Sequence, residues 1–365
     1  MTNKVLYISV LSVILFSACQ NNVSTVEAEQ KSVNSKFVLP EAAVIKEAFL
    51  TLQDQNDNVD SPALWHGDNG QNWLLATAKE GNVVIIYDAA TGEIIRRFGK
   101  TGSGMGELSR PNGIAVTENL VVIAERDNHR IQVFTLPDLQ PLGVFGENDL
   151  RFPYGISIDK AEGKYHLFVT DNYETPDEET PPADSLGKRI HKFEFTVDGN
   201  QLVAKHIMDF GDTSGDGVLY KVESILFDRE YNRLLISDEH EEHRNVKIYD
   251  TDGRFTGQVI PHNYFFYEPE GIILWECESD SSGYYIMVDQ GKISNTFQVF
   301  DRKTLEYIGG FGGEITRNTD GIALTQKPFG DFKYGAFYPV HNDGSLAAIS
   351  WEDIATTLGL RFDCN

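Results

Sequence analysis

A polar residue followed by a small residue and an apolar run recurs six times along the chain. The copies are Val59-Asp60-Ser61-Pro62-Ala63-Leu64, Pro111-Asn112-Gly113-Ile114, Pro153-Tyr154-Gly155-Ile156, Val222-Glu223-Ser224-Ile225, Pro269-Glu270-Gly271-Ile272 and Thr319-Asp320-Gly321-Ile322. The polar positions lie roughly 40 to 70 residues apart, a spacing that suits propeller-type repeats. A second series runs in phase with the first. The segments Val83–Asp88, Ile131–Thr135, Ile190–Phe195, Val246–Asp250, Phe297–Asp301 and Leu346–Trp351 read as strands and carry aromatics at 87, 134, 195, 249, 300 and 351. Two series with one period predict six copies of one β unit, and hence an all-β, six-bladed β-propeller. The innermost strand of each blade borders the central channel in such a ring. The six polar side chains are therefore predicted to face one mouth.

Helix-period apolar stretches are absent from most of the chain; the exception is Trp351 to Leu358, where Glu352-Asp353 supply acids to a first turn. The segment around Lys36–Leu52 is predicted to donate an outer strand that closes the ring and covers an exposed edge. Ahead of it, Lys4 precedes the apolar run Val5–Phe16 and then Ser17-Ala18-Cys19-Gln20. This pattern reads as a secretory signal over residues 1–19, with a flexible tether over 20–36 and the propeller over 37–365. The Phe-Ser-Ala-Cys ending resembles the bacterial lipobox, which implies a lipid on Cys19 and an exported, outer-membrane lipoprotein. An exported compartment permits Cys277 and Cys364 to pair; their spacing does not decide whether they do.

The formal charge of −24 makes nucleic acid and anionic lipid surfaces poor partners, so the membrane is met only through the anchor at Cys19. Acid enrichment serves solubility, or it serves hard cations, for which carboxylates, amides and carbonyls are the preferred ligands. Position separates the two. Four of the six mouth residues are carboxylates: Asp60, Glu223, Glu270 and Asp320. Asp and Asn often cap turns, but Glu does so poorly, and carboxylates crowded at one mouth are relieved by a cation. A second polar set follows the next apolar run of each unit: Lys79-Glu80, Glu125-Arg126-Asp127, Asp171-Asn172-Tyr173-Glu174, Asp238-Glu239-His240, Asp289-Gln290-Gly291-Lys292 and His341-Asn342-Asp343. Lys79 and Arg126 beside the acids suit an anionic substrate, since Arg pairs bidentately with phosphate or carboxylate.

Taken in order, several segments resemble the β-propeller phytases, Ca²⁺-dependent phosphatases of inositol phosphates. They are Asp60-Ser61-Pro62-Ala63-Leu64-Trp65, Glu268-Pro269-Glu270-Gly271-Ile272, Asp289-Gln290-Gly291 with Phe297-Gln298-Val299-Phe300, Thr319-Asp320-Gly321-Ile322, and the closing stretch from Tyr334 to Ala355. The resemblance implies Ca²⁺ as cofactor and Asp60, Glu223, Glu268, Glu270 and Asp320 as ligands, with Asp238, Glu239 and Gln290 as further candidates. It implies that Lys79 and Arg126 hold substrate phosphate and that Tyr154 borders the cleft. It also implies action on an anionic phosphorylated small molecule, and the chain is expected to be a monomer. Two features depart from the family. Ser61 stands where a second aspartate is usual, and Asp171-Asn172-Tyr173-Glu174 with the insertion Thr175–Gly187 replaces a Lys-Glu pair, leaving Lys188 or Arg189 to reach back.

The stretch from Arg97 to Phe134, with Arg110-Pro111-Asn112-Gly113-Ile114 and Asp127-Asn128-His129-Arg130-Ile131, is similar to an NHL repeat. NHL repeats also build six-bladed propellers, most of which bind partners. Two alternatives therefore stand beside the phosphatase: an NHL-like binding propeller without catalysis, and a six-bladed Ca²⁺-dependent lactonase. The lactonase has no need of Lys79 and Arg126.

Overall fold

The computed structural model describes residues 39–364. The signal segment, Cys19 and the tether lie outside the described residues. Among those described, six sheets, each with a four-stranded antiparallel core, form the blades of a propeller. The inner strands are Val59–His66, Pro111–Thr117, Pro153–Ala161, Val222–Asp228, Glu268–Cys277 and Ile322–Thr325. Each packs against the next, and the last meets the first, so the ring closes.

Both faces of every blade are covered by neighbouring blades. This is why the strands read as continuous apolar runs rather than alternating ones. Val84, Ile85, Ile86 and Tyr87 are all buried although they point to opposite faces. The core is accordingly built of six clusters, one per pair of adjacent blades, with a smaller seventh of Tyr173, Leu186 and Val218 beside the 175–187 insertion; Leu75, Ile86, Ile123 and Phe134, for example, fill the space between the first two blades. Five aromatics of the second series, Tyr87, Phe134, Phe195, Tyr249 and Phe300, are buried on third strands. The sixth departs from the pattern. Its strand ends at Ser350, and Trp351 begins the helix Trp351–Leu358, stacked on Trp275 at 5.4 Å.

Two short strands tie the start of the described chain to its end. Phe49–Leu50 pairs antiparallel with Ser345–Ser350 as the outer strand of the sixth blade. Ala43–Ile45 lies parallel to Tyr307–Gly313 on the fifth. Cys277, at the end of an inner strand, is joined by a disulfide to Cys364, 87 residues away.

Candidate metal and anion site at the channel mouth

The polar-plus-small dipeptides mark a structural device. In the first five blades the inner strand bulges at that dipeptide: pairing jumps from Val59 to Pro62, Pro111 to Ile114, Pro153 to Ile156, Val222 to Ile225 and Pro269 to Ile272. Two residues there oppose one on the second strand, an arrangement that turns a side chain out of the pleat. The turned side chain is Asp60, Asn112, Tyr154, Glu223 or Glu270. In the sixth blade Asp320-Gly321 immediately precedes the inner strand and takes the corresponding place.

The small residue is needed because adjacent blades touch there. A Cβ on Gly113 would lie 2.3 Å from the carbonyl oxygen of Tyr154, one on Gly155 2.5 Å from that of Glu223, and one on Gly321 2.6 Å from that of Asp60. Carbonyls of the polar positions also form a hydrogen-bonded belt. Thr77, Thr170 and Ser237 donate hydroxyls to Asn112, Glu223 and Glu270 at 2.6–2.8 Å, and the amides of Gly271 and Gly321 donate to Asp320 and Asp60. Beyond the belt, a channel of about 680 Å³ runs between the inner strands. Its lining starts at Ser61, Gly113, Gly155, Ser224, Gly271 and Gly321, each one place after a polar residue of the six.

The second polar set divides in two. Its acids at the ends of second strands are anchors that hold the incoming loop. Asp171 accepts the amides of Arg151 and Phe152, Asp289 those of Phe266 and Tyr267, and Asp238 those of Tyr220 and Lys221 together with the Lys247 ammonium at 2.7 Å. The structure thus places Asp238 in a structural ion pair rather than at a metal, with both its oxygens already engaged. The next residue in five of the blades is held differently: Lys79, Arg126, Asn172, Glu239 and Asn342 each donate a backbone amide to the preceding loop, and of these Lys79 and Glu239 meet the mouth acids. Lys188 and Arg189 do not reach these acids. Lys188 pairs with Asp209 on an outer strand, and Arg189 is fully buried, donating to the carbonyls of Asp171, Tyr173, Leu219 and Tyr220.

Charge at the mouth is unbalanced. Asp60, Glu223, Glu239 and Glu270 are buried, Asp320 is half-buried, and Lys79 is the buried cation among them, 2.7 Å from Asp60. Burial opposes the Lys79 charge, yet Asp60, Tyr154 and Asp320 hold its pKa well above the usual lysine range. Burial pushes Glu223 well above the usual carboxylate range, with Glu239 and Asp60 adding to it. Glu270 is raised by burial and then by Glu223, Glu239 and Asp320. Asp320 is pushed up to about 7 by burial, Lys79 opposing and Asp60 and Asp343 reinforcing. Burial also raises the Tyr154 hydroxyl, beside Glu223. Gln290 donates to Asp320 at 2.8 Å.

This donor set fits a hard cation. Glu239, Glu268 and Glu270 bring one carboxylate oxygen each within 4.8 Å of one another, and Glu239 is within hydrogen-bonding reach of both Glu223 and Glu270. Asn112, fully buried at the same mouth, has no hydrogen-bond partner among the described residues on either its amide nitrogen or its oxygen. Oxygen-only ligation from flexible carboxylates and an amide is the calcium pattern. Arg126 stands apart: it pairs with Asp127 at 2.7 Å and lies over the Phe152 ring, partly exposed. Lys221, which sequence reasoning missed, joins the site through a 2.6 Å ion pair to Glu239. Its only signal was its place just before the Val222-Glu223 repeat.

Residues 108–134 match the NHL repeat family. Over 51 residues the chain is 53% identical to the Protein lin-41 of Caenorhabditis elegans, a match covering 13% of this chain and 4% of that protein. The chain therefore spans only a small part of that relative. Among solved structures it is similar to the nidogen/laminin complex at 14% identity and TM-score 0.46, covering 72% of this chain and 82% of that one. It is likewise similar to the hydrazine synthase of Kuenenia stuttgartiensis at 11% identity and TM-score 0.46, covering 84% and 81%.

Proposed function

We propose that the chain is a Ca²⁺-dependent phosphomonoesterase that acts on phytate or another phosphorylated small molecule at the channel mouth. The observation that supports this best is the gathering of Glu239, Glu268 and Glu270 around one point, with Glu223 and Asp320 beside them. Glu223, Glu239, Glu268 and Glu270 would hold the cation, with Asp320, Asp60 and Gln290 on its flank. Calcium bound there supplies positive charge for a phosphoryl group and for the water that attacks it. The chain's own residues do the rest. Lys79, held charged by Asp60, Tyr154 and Asp320, offsets phosphate charge from inside the mouth. Lys221 and Arg126, more exposed, draw the polyanion in and orient it. No nucleophilic side chain is required. The disulfide supports an oxidising compartment, in keeping with export and a lipid anchor at Cys19.

A second reading, a binding propeller without catalysis, is favoured by the NHL match and by the pairing of Arg126 with Asp127. Phosphate release from phytate in calcium and in chelator separates the two. Calcium-dependent release supports the enzyme, whereas a chain that binds calcium yet releases no phosphate supports the binding propeller.

A further inference from the structure

We infer that the third blade carries a separate site for a zinc-class transition metal, formed by His191, His206 and Asp209 at its outer edge. His191 lies on the third strand, Ile190–Asp198, and the other two on the outer strand, Gln201–Phe210. His191 and Asp209 are direct cross-strand partners and so share a face. In a regular strand His206, three residues from Asp209, would point to the opposite face. A bulge prevents this: pairing passes from Lys192–Met208 to Phe193–His206, skipping Ile207. The bulge turns His206 onto the face of His191 and Asp209 and leaves Ile207 36% exposed. The nitrogen and oxygen ligand atoms of the three residues all lie within 4.8 Å of one another.

The geometry between the imidazoles points to a metal. Nδ1 of His191 and Nε2 of His206 face each other at 3.4 Å. Two nitrogens on one tetrahedral zinc, each at about 2.1 Å, are separated by about 3.4 Å. The outer nitrogens face carboxylates: His191 Nε2 lies 3.3 Å from Asp171, and His206 Nδ1 lies 3.6 Å from Asp149. Carboxylates behind metal-ligating histidines favour protonation of the outer nitrogen and leave the inner lone pair for the ion. In the tautomer that carries both protons on the outer nitrogens, two inner lone pairs are opposed and an ion between them removes the repulsion; in the other, one imidazole donates to its neighbour and the ion replaces that proton. Imidazole ligation selects zinc and its neighbours over calcium. The site is open to solvent, since the side chains of His206 and Asp209 are about a quarter exposed. Lys188 now holds Asp209 at 2.7 Å, but it is largely exposed, so releasing it costs little. With three protein ligands and an open side, a water completes the coordination.

The test uses the full chain without a histidine tag, in saturating calcium so that the channel mouth is filled. Calorimetric titration with Zn²⁺ is expected to give one site of micromolar affinity or tighter, and Co²⁺ the intense visible absorption of a tetrahedral centre. His206→Ala, a partly exposed change that circular dichroism can check for folding, should weaken zinc binding more than about 100-fold. Asp149→Asn, which leaves the ligands intact, should weaken it by about 10- to 100-fold. A wild type that takes no zinc at micromolar concentration, a weak octahedral cobalt spectrum, or a folded His206→Ala that binds zinc as the wild type does would overturn the inference. None of these outcomes touches the calcium reading, whose residues lie at the mouth.

Discussion

Asp320→Asn removes one negative charge from the crowded mouth while keeping an oxygen that can accept from Gln290. The Asp320 carboxyl is raised from 3.8 to about 7, chiefly by burial. A raised carboxyl in the folded state means that the unfolded chain ionises first as pH climbs. Stability tied to this group is therefore full below about pH 4 and is lost as pH rises toward 7. About three pKa units at about 1.4 kcal/mol each give a ceiling of about 4 kcal/mol at pH 8. Linkage leaves about 2 kcal/mol of it at pH 5 and less than about 1 kcal/mol at pH 4. Asparagine does not titrate, so in chelator the variant should be more stable than wild type at pH 8, and the gap should shrink as pH falls. Lys79 keeps Asp60 at 2.7 Å as its partner, so the gain survives the loss of one acid. Saturating calcium should close or reverse the gap, because the ion favours the ionised wild type. The assay is denaturant unfolding at pH 4, 5 and 8, in EGTA and in calcium. A variant that is destabilised in EGTA at pH 8, or whose difference from wild type ignores pH, would refute the electrostatic account of the mouth.

Three further predictions follow from the same geometry. Glu270→Gln should weaken calcium-induced stabilisation by more than the roughly 10-fold that loss of an outer-shell partner brings, read by melting temperature against calcium concentration. Arg126→Ala should leave that calcium titration unchanged, because a guanidinium cannot ligate a cation. Its phosphatase turnover should nonetheless fall about 100-fold, the scale of a lost electrostatic donor; an unchanged turnover would exclude Arg126 from the reaction. Cys277→Ser opens a link across 87 residues and should lower stability by about 2–5 kcal/mol, measured by chemical denaturation.

The ring was legible because its repeat is written twice, in the polar-small dipeptides and in the third-strand aromatics. What the dipeptides do locally was not legible. A polar residue before glycine reads equally as a turn cap, and only the pairing register shows the bulge at Asp60, Glu223 and Glu270. Neighbouring acids were also inseparable by sequence. Asp238 and Glu239 differ by one position, yet one is consumed by three amides and Lys247 while the other faces the mouth acids. Arg189 looked free to reach substrate; its partners are carbonyls of loops remote in sequence, which no local pattern announces. The histidine cluster was hidden for a related reason, since its third member reaches the right face only through a bulge at Ile207.

The most direct test of the central claim is phosphate release from phytate and from a simple phosphomonoester by the full chain, in saturating calcium and in EGTA. Release that requires calcium and is lost in Glu270→Gln is the predicted result. A folded wild type that gains thermal stability from calcium yet releases no phosphate from either substrate would contradict it.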